Sequence, residues 1–115
     1  MIANRLGDYL EHMRQAASDA LVFVEGLSKE EFVDDKRTQQ AVIMSLVIIG
    51  EAATKIMDRF PEFAAQNTQT PWRSMRSMRG MRKRIAHGYF DINLDVVWET
   101  VQVALPELLR ALPSE

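Results

Sequence analysis

The stretch Ala41-Val42-Ile43-Met44-Ser45-Leu46-Val47-Ile48-Ile49-Gly50-Glu51-Ala52-Ala53-Thr54-Lys55-Ile56 admits two readings, and the choice settles whether the chain contains a sheet. Its Val47-Ile48-Ile49 centre suits a strand. The apolar pattern is too long for one strand, however, and flows into Glu51-Ala52-Ala53-Thr54-Lys55-Ile56, which is good helix sequence. The spacing therefore predicts a helix over about 36–59, ended by Pro61. Its middle is apolar almost all round, so it should be buried on nearly every side. In a chain of 115 residues other helices can cover only part of it, which leaves surface for a second subunit.

On the N-terminal side, Leu6, Leu10, Met13, Ala17, Ala20, Val24 and Leu27 recur at steps of four and three. That is one apolar stripe of an amphipathic helix over 3–26, with Gly26 as its stop. His12 lies among polar neighbours and reads as a surface histidine. Ser28 and Glu31 have the form of a capping box opening a short turn, and Asp34 or Asp35 can cap the long helix. On the C-terminal side, 61–70 reads as a polar connector with room for one helical turn. Thr70 as N-cap with Pro71 in first position starts another helix, with Trp72 packed inward. A last helix begins at Leu94, capped by Asp91 or Asn93. Its apolar face is Leu94, Val97, Trp98, Val101, Leu105, Leu108, Leu109 and Leu112, with a kink at Pro106 and a stop at Pro113. The reading is one all-α domain spanning 1–115.

Composition narrows the class. The apolar share of 47% and charged share of 26% are ordinary for a soluble globular protein. There is no cysteine, so no disulfide framework or thiolate metal site. No apolar leader follows Met1, and no uninterrupted run of about 18 apolar residues is present, so a cytoplasmic protein without a membrane segment is expected. The net charge of −2 conceals an asymmetry. Arg73, Arg76, Arg79, Arg82, Lys83 and Arg84 are six cations with no acid among them, which leaves −8 on the rest of the chain. A basic strip on an otherwise acidic protein points to an anionic partner, of which RNA is the obvious case.

The strip has a period of three: Arg73, Arg76, Arg79 and Arg82, interleaved with Met75, Met78 and Met81. An α-helix turns about 100° per residue, so a period of three drifts about 60° backward per step. One straight helix cannot present all four arginines on one face. Either the helix breaks or bends near Gly80, or some arginines turn towards carboxylates. The methionines read as core fillers. Glu51, the one acid embedded in the apolar stretch, either pairs with Lys55 at i+4 or faces an arginine of the strip and fixes that side chain.

The strip runs into Arg82, then four residues, His87, one residue, and Tyr89. An imidazole exchanges a proton near neutrality, so His87 can give or take one. The Arg82 guanidinium matches phosphate oxygens and can stabilise charge growing on them. Arg73, Arg76, Arg79, Lys83 and Arg84 can hold an RNA backbone through salt-sensitive contacts. Tyr89 can donate a hydrogen bond, stack on a base or be modified. No second histidine or carboxylate stands at ligand spacing around His87, so neither a metal nor another cofactor is expected.

Arg-x4-His-x-Tyr, the run Ala86-His87-Gly88-Tyr89-Phe90-Asp91 with Trp98 following, and Gly50-Glu51-Ala52-Ala53 together resemble the HEPN-domain ribonucleases, and within them the HepT-like toxins. The resemblance covers nearly the whole chain. It implies an all-α HEPN-like bundle of four to five helices, a two-fold homodimer, and a toxin ribonuclease paired with a minimal nucleotidyltransferase antitoxin. Carried over, Arg82 and His87 are the catalytic pair and Tyr89 is the residue that the antitoxin modifies with AMP. Lys83 departs from the pattern, where Asn or another small polar group commonly follows the arginine; lysine has no acceptor. Two other readings stay open. One is a non-catalytic RNA- or nucleotide-binding module that docks a nucleotidyltransferase; the other is a structural dimer with His87 and Tyr89 buried.

Overall fold

A computed structural model describes residues 5–87 and 92–113, and within them every regular element is helical. In chain order these are α1 (Leu6–Phe23), α2 (Lys29–Val33), α3 (Lys36–Arg59), α4 (Pro61–Gln66), α5 (Trp72–Ser77), a 3-10 turn (Met78–Gly80), α6 (Met81–Ala86), α7 (Leu94–Glu99), a π turn (Thr100–Ala104) and α8 (Leu105–Ala111). Four rods make an all-α bundle with extents of 43 × 29 × 26 Å: α1, α3, the run α5 to α6, and the run α7 to α8. The short α2 and α4 lie in the connections between rods. This is the expected class.

α3 is the centre. It packs along α1 on one side and against α5 and the 3-10 turn on another, while α8 and the π turn close over α1. The stripe read from α1 is buried at Leu6, Leu10, Met13, Ala17, Ala20 and Val24. On α3, Val42, Ile43, Leu46, Val47, Ile49, Ala53 and Ile56 are buried, whereas Met44 and Ile48 are 53% and 41% exposed. Burial on nearly every side therefore fails along one narrow line. The absence of a membrane segment was inferred from uninterrupted apolar runs. Judged over 18 residues, α3 is the one described helix long and apolar enough to cross a bilayer, and 61% of that window is buried inside the bundle.

Local rules set several helix ends. Ser28 and Glu31 form the full capping box: the Glu31 N–H donates to Ser28 Oγ at 3.1 Å, and the Ser28 N–H donates to Glu31 Oε1 at 2.8 Å. Asp35, not Asp34, caps α3; its carboxylate accepts from the Thr38 N–H at 3.1 Å and the Thr38 hydroxyl at 2.6 Å. The Thr38 hydroxyl first, and then the Thr38 N–H, hold the Asp35 carboxyl below its ordinary range. Asn93 caps α7 by accepting from the Asp95 and Val96 N–H groups. Gly26, just past α1, has φ +81°, a conformation few other residues adopt.

Two expectations take definite form and one, the Thr70 cap, is overturned. Residues 61–66 form a helix, with Pro61 in the first turn where its missing N–H costs nothing. Thr70 does not cap α5: it is buried, and its hydroxyl donates to the Ala111 carbonyl at 3.0 Å across the bundle. The irregularity expected at Pro106 takes the form of a widened turn just before it. Leu105 N–H reaches back five residues to the Thr100 carbonyl, a π turn that makes room for a proline ring and a missing donor.

Candidate active site

The basic strip occupies the third rod, and the 3-10 turn explains its odd period. A 3-10 helix has three residues per turn, so side chains at i and i+3 eclipse. Through Met78–Gly80 the drift of a three-residue repeat stops. Met75 is buried and Met78 and Met81 pack half-buried against the core, while Arg73, Arg79 and Arg82 remain exposed and Arg76 half-buried. The expected irregularity near Gly80 is thus a change of helix type.

Two of the arginines also turn to carboxylates of α3. Arg76 pairs with Asp58 at 3.2 Å. Arg82 Nη1 donates to Glu51 Oε2 in a short ion pair; the arginine side chain is 65% exposed and the glutamate 41%. Glu51 therefore faces the strip rather than Lys55. Arg73, Arg79, Lys83 and Arg84 have no ion-pair partner among the described residues. Gly50, beside Glu51, is the seat of the strip. A Cβ built there would stand 2.3 Å from the Arg79 backbone nitrogen and 3.0 Å from its Cα. Only a residue without a Cβ lets the 3-10 turn come this close, and that approach brings Arg82 within reach of Glu51.

His87 lies at the C-terminal end of α6, exposed, with its N–H bonded to the Lys83 carbonyl at 3.1 Å. The helical register thus holds from Arg82 to His87, about 140° of rotation. They line different depressions. One, of about 500 Å³, is formed by Glu51, Arg79, Gly80, Arg82 and Lys83. The other, of about 400 Å³, is formed by Gly80, Lys83, Arg84 and His87. Both are open to solvent, so a buried, merely structural His87 is set aside. Tyr89, with Gly88, Phe90 and Asp91, lies outside the described residues. His12 is on the surface, as read from its neighbours.

A separate depression of about 550 Å³ lies between α4 and α5, lined in part by Met57, Pro61, Ala64, Trp72 and Arg73. It meets the strip only at Arg73 and holds none of Glu51, Arg82 and His87, so size alone does not locate the chemistry. Among the described residues no three His, Cys, Asp or Glu side chains gather as a metal cluster. The part played by Gly50 was not readable from sequence, since its contact lies 29 residues away along the chain.

Comparison with known proteins identifies the family. Residues 13–114 match the HepT-like family, described as "Ribonuclease HepT-like". A Thermococcus cleftensis protein named "Probable ribonuclease HepT" is 38% identical over 101 residues, covering 88% of this chain and 86% of that one. A Caldanaerobacter subterraneus subsp. tengcongensis protein named a "Putative RNase" is 37% identical over 100 residues, with coverages of 87% and 84%. A Methanocaldococcus jannaschii protein with the same designation is 34% identical over 107 residues, with coverages of 93% and 80%. No solved structure matches the chain. The all-α bundle, the exposed basic rod and a family match across almost the whole length lead to one conclusion: the chain belongs to the HepT-like ribonuclease family.

Proposed function

We propose that the chain is a metal-independent endoribonuclease acting as the toxin of a toxin–antitoxin pair, with Arg82 and His87 as its catalytic residues. One observation carries this reading: an exposed histidine and a carboxylate-anchored arginine share a rod with four cations that have no ion-pair partner among the described residues. In the reaction the ribose 2′-oxygen attacks the adjacent phosphorus and its proton passes to a base such as His87. The bond from phosphorus to the 5′-oxygen breaks, and that oxygen takes a proton from an acid. The products are a 2′,3′-cyclic phosphate and a 5′-hydroxyl, and no oxidant or metal enters the balance. Arg82 stabilises the charge on the phosphoryl oxygens. Arg73, Arg76, Arg79, Lys83 and Arg84 grip the backbone, so affinity falls steeply with salt.

Two further parts belong to the same reading. The first is a homodimer. Each chain supplies one histidine to a reaction that uses both a base and an acid, and Arg82 and His87 of one chain face different ways. Met44 and Ile48 fall on the same face of α3 as Glu51, at steps of four and three, so an exposed apolar line leads to the Arg82 site. Val96 and Val103 add exposed apolar surface on the last rod. The second is control by a minimal nucleotidyltransferase antitoxin that adds AMP to Tyr89. The added phosphate would repel RNA and occupy Arg82. Intact mass after co-expression tests this, and a mass increase that survives Tyr89→Phe would place the modification elsewhere.

The primary test is incubation of the unmodified protein with total RNA in EDTA, beside His87→Ala. Cleavage by the first and not the second is expected. The separation of Arg82 from His87 favours one alternative, a binding module that docks the nucleotidyltransferase. RNA retention without cleavage by the unmodified protein would establish that instead.

A further inference from the structure

We propose that Lys83 is a third catalytic residue: it lines both the Arg82 depression and the His87 depression, and faces the scissile phosphate from between them. This rests on the ribonuclease reading given above. With Arg82 as origin and about 100° per residue, Lys83 stands at about 100° and His87 at about 140°. Lys83 precedes His87 by four residues, the spacing of neighbours on one helix face, and the His87 N–H to Lys83 carbonyl bond holds that register. Arg79 lines only the first depression and Arg84 only the second. Besides Gly80, which has no side chain, Lys83 alone is common to both. Its ammonium sits on a flexible four-carbon stem, long enough to serve either side.

Charge explains why a third residue is needed. The Glu51 carboxylate offsets the Arg82 charge, so Arg82 stabilises the phosphoryl oxygens through directed N–H donors more than through net charge. Attack by the 2′-oxygen gathers negative charge on the two non-bridging oxygens of phosphorus. Arg82, fixed by Glu51, orients one of them; Lys83, exposed and without an ion-pair partner among the described residues, supplies the unbalanced cation to the other. No bond is made or broken at Lys83 itself. Its role is electrostatic, and it is the same whether the base is the His87 of its own chain or the partner's His87.

The bland alternative is that Lys83 only grips the RNA backbone. The two roles separate in kinetics, because a grip weakens substrate binding while a contact made in the transition state lowers kcat. The experiment measures cleavage of a mixed-sequence single-stranded RNA in EDTA by wild type, His87→Ala, Lys83→Met and Lys83→Arg, with circular dichroism of each. Lys83→Met is expected to lower kcat by about 100-fold with KM within about threefold of wild type. Lys83→Arg keeps the charge and should recover most of the rate. A Lys83→Met enzyme with unchanged kcat and raised KM overturns the proposal and leaves the ribonuclease reading standing. Wild type that fails to cleave, or His87→Ala that cleaves equally well, removes that reading and Lys83's role with it.

Discussion

α3 and α6 are opposites in the same bundle. α3 has 24 residues, a side-chain N-cap and most of its apolar positions buried. α6 has six residues, no side-chain cap and no buried residue. Isolated helices that short do not persist in water, so α6 exists because the rod leading into it is seated on α3. On the proposed function, stability and chemistry are divided between the two, and they meet at Gly50 and Glu51. α3 supplies the gap that admits the Arg79 backbone and the carboxylate that takes Arg82. A site on a thin, solvent-exposed rod can gather like charges that a core helix could not bury.

The division can be broken from the α3 side first. Leu46 is fully buried, so Leu46→Ala should cost about 2–5 kcal/mol, read from chemical or thermal unfolding. A loss near zero would mean that α3 is not the centre of the core. Gly50→Ala strikes the junction. Its Cβ meets the Arg79 backbone rather than a yielding side chain, so the third rod must shift, at about 1–3 kcal/mol. Because the shift carries Arg82 away from Glu51, RNA cleavage should fall further than the stability loss accounts for. Unchanged cleavage would detach Gly50 from the site.

Smaller effects sharpen the contrast. Ser28→Ala removes the capping box of α2, which packs on α3 and α7, and should cost about 1 kcal/mol while leaving cleavage untouched. At Asp35 the sign follows from its lowered folded value. Its contribution is present above the unfolded carboxylate pKa and is lost as pH falls through the folded one. Asp35→Asn keeps a capping side chain without that titration, so its stability should decline less than that of wild type on acidification. Parallel acid profiles would contradict this assignment.

What was legible follows from how local each feature is. The α1 stripe, the Ser28 box, the Asn93 cap and the helical reading of Val47-Ile48-Ile49 depend on residues within a few positions of one another. Thr70 before Pro71 has the form of a cap, but its hydroxyl has a partner 41 residues away, which outcompetes that role. The widened turn before Pro106 depends on backbone relaxation that a proline rule states only as disruption. At the site, the strip and its irregularity near Gly80 were legible from charge and period. Glu51 had two cationic candidates, and only the packing of the 3-10 turn on Gly50 decides for Arg82. Likewise, the spacing of Arg82 and His87 reveals their divergence, but not that Lys83 touches both depressions.

The most direct test is Arg82→Ala, followed by thermal unfolding and RNA cleavage on the same preparation. Exposed ion pairs contribute about 0–1 kcal/mol, so Tm should stay close to wild type. Cleavage should fall by about 10²–10³, the cost of removing one charge-stabilising donor. Full cleavage without Arg82, or a loss of activity matched by a comparable loss of folded protein, would contradict the separation of chemistry on the exposed rod from stability in α3.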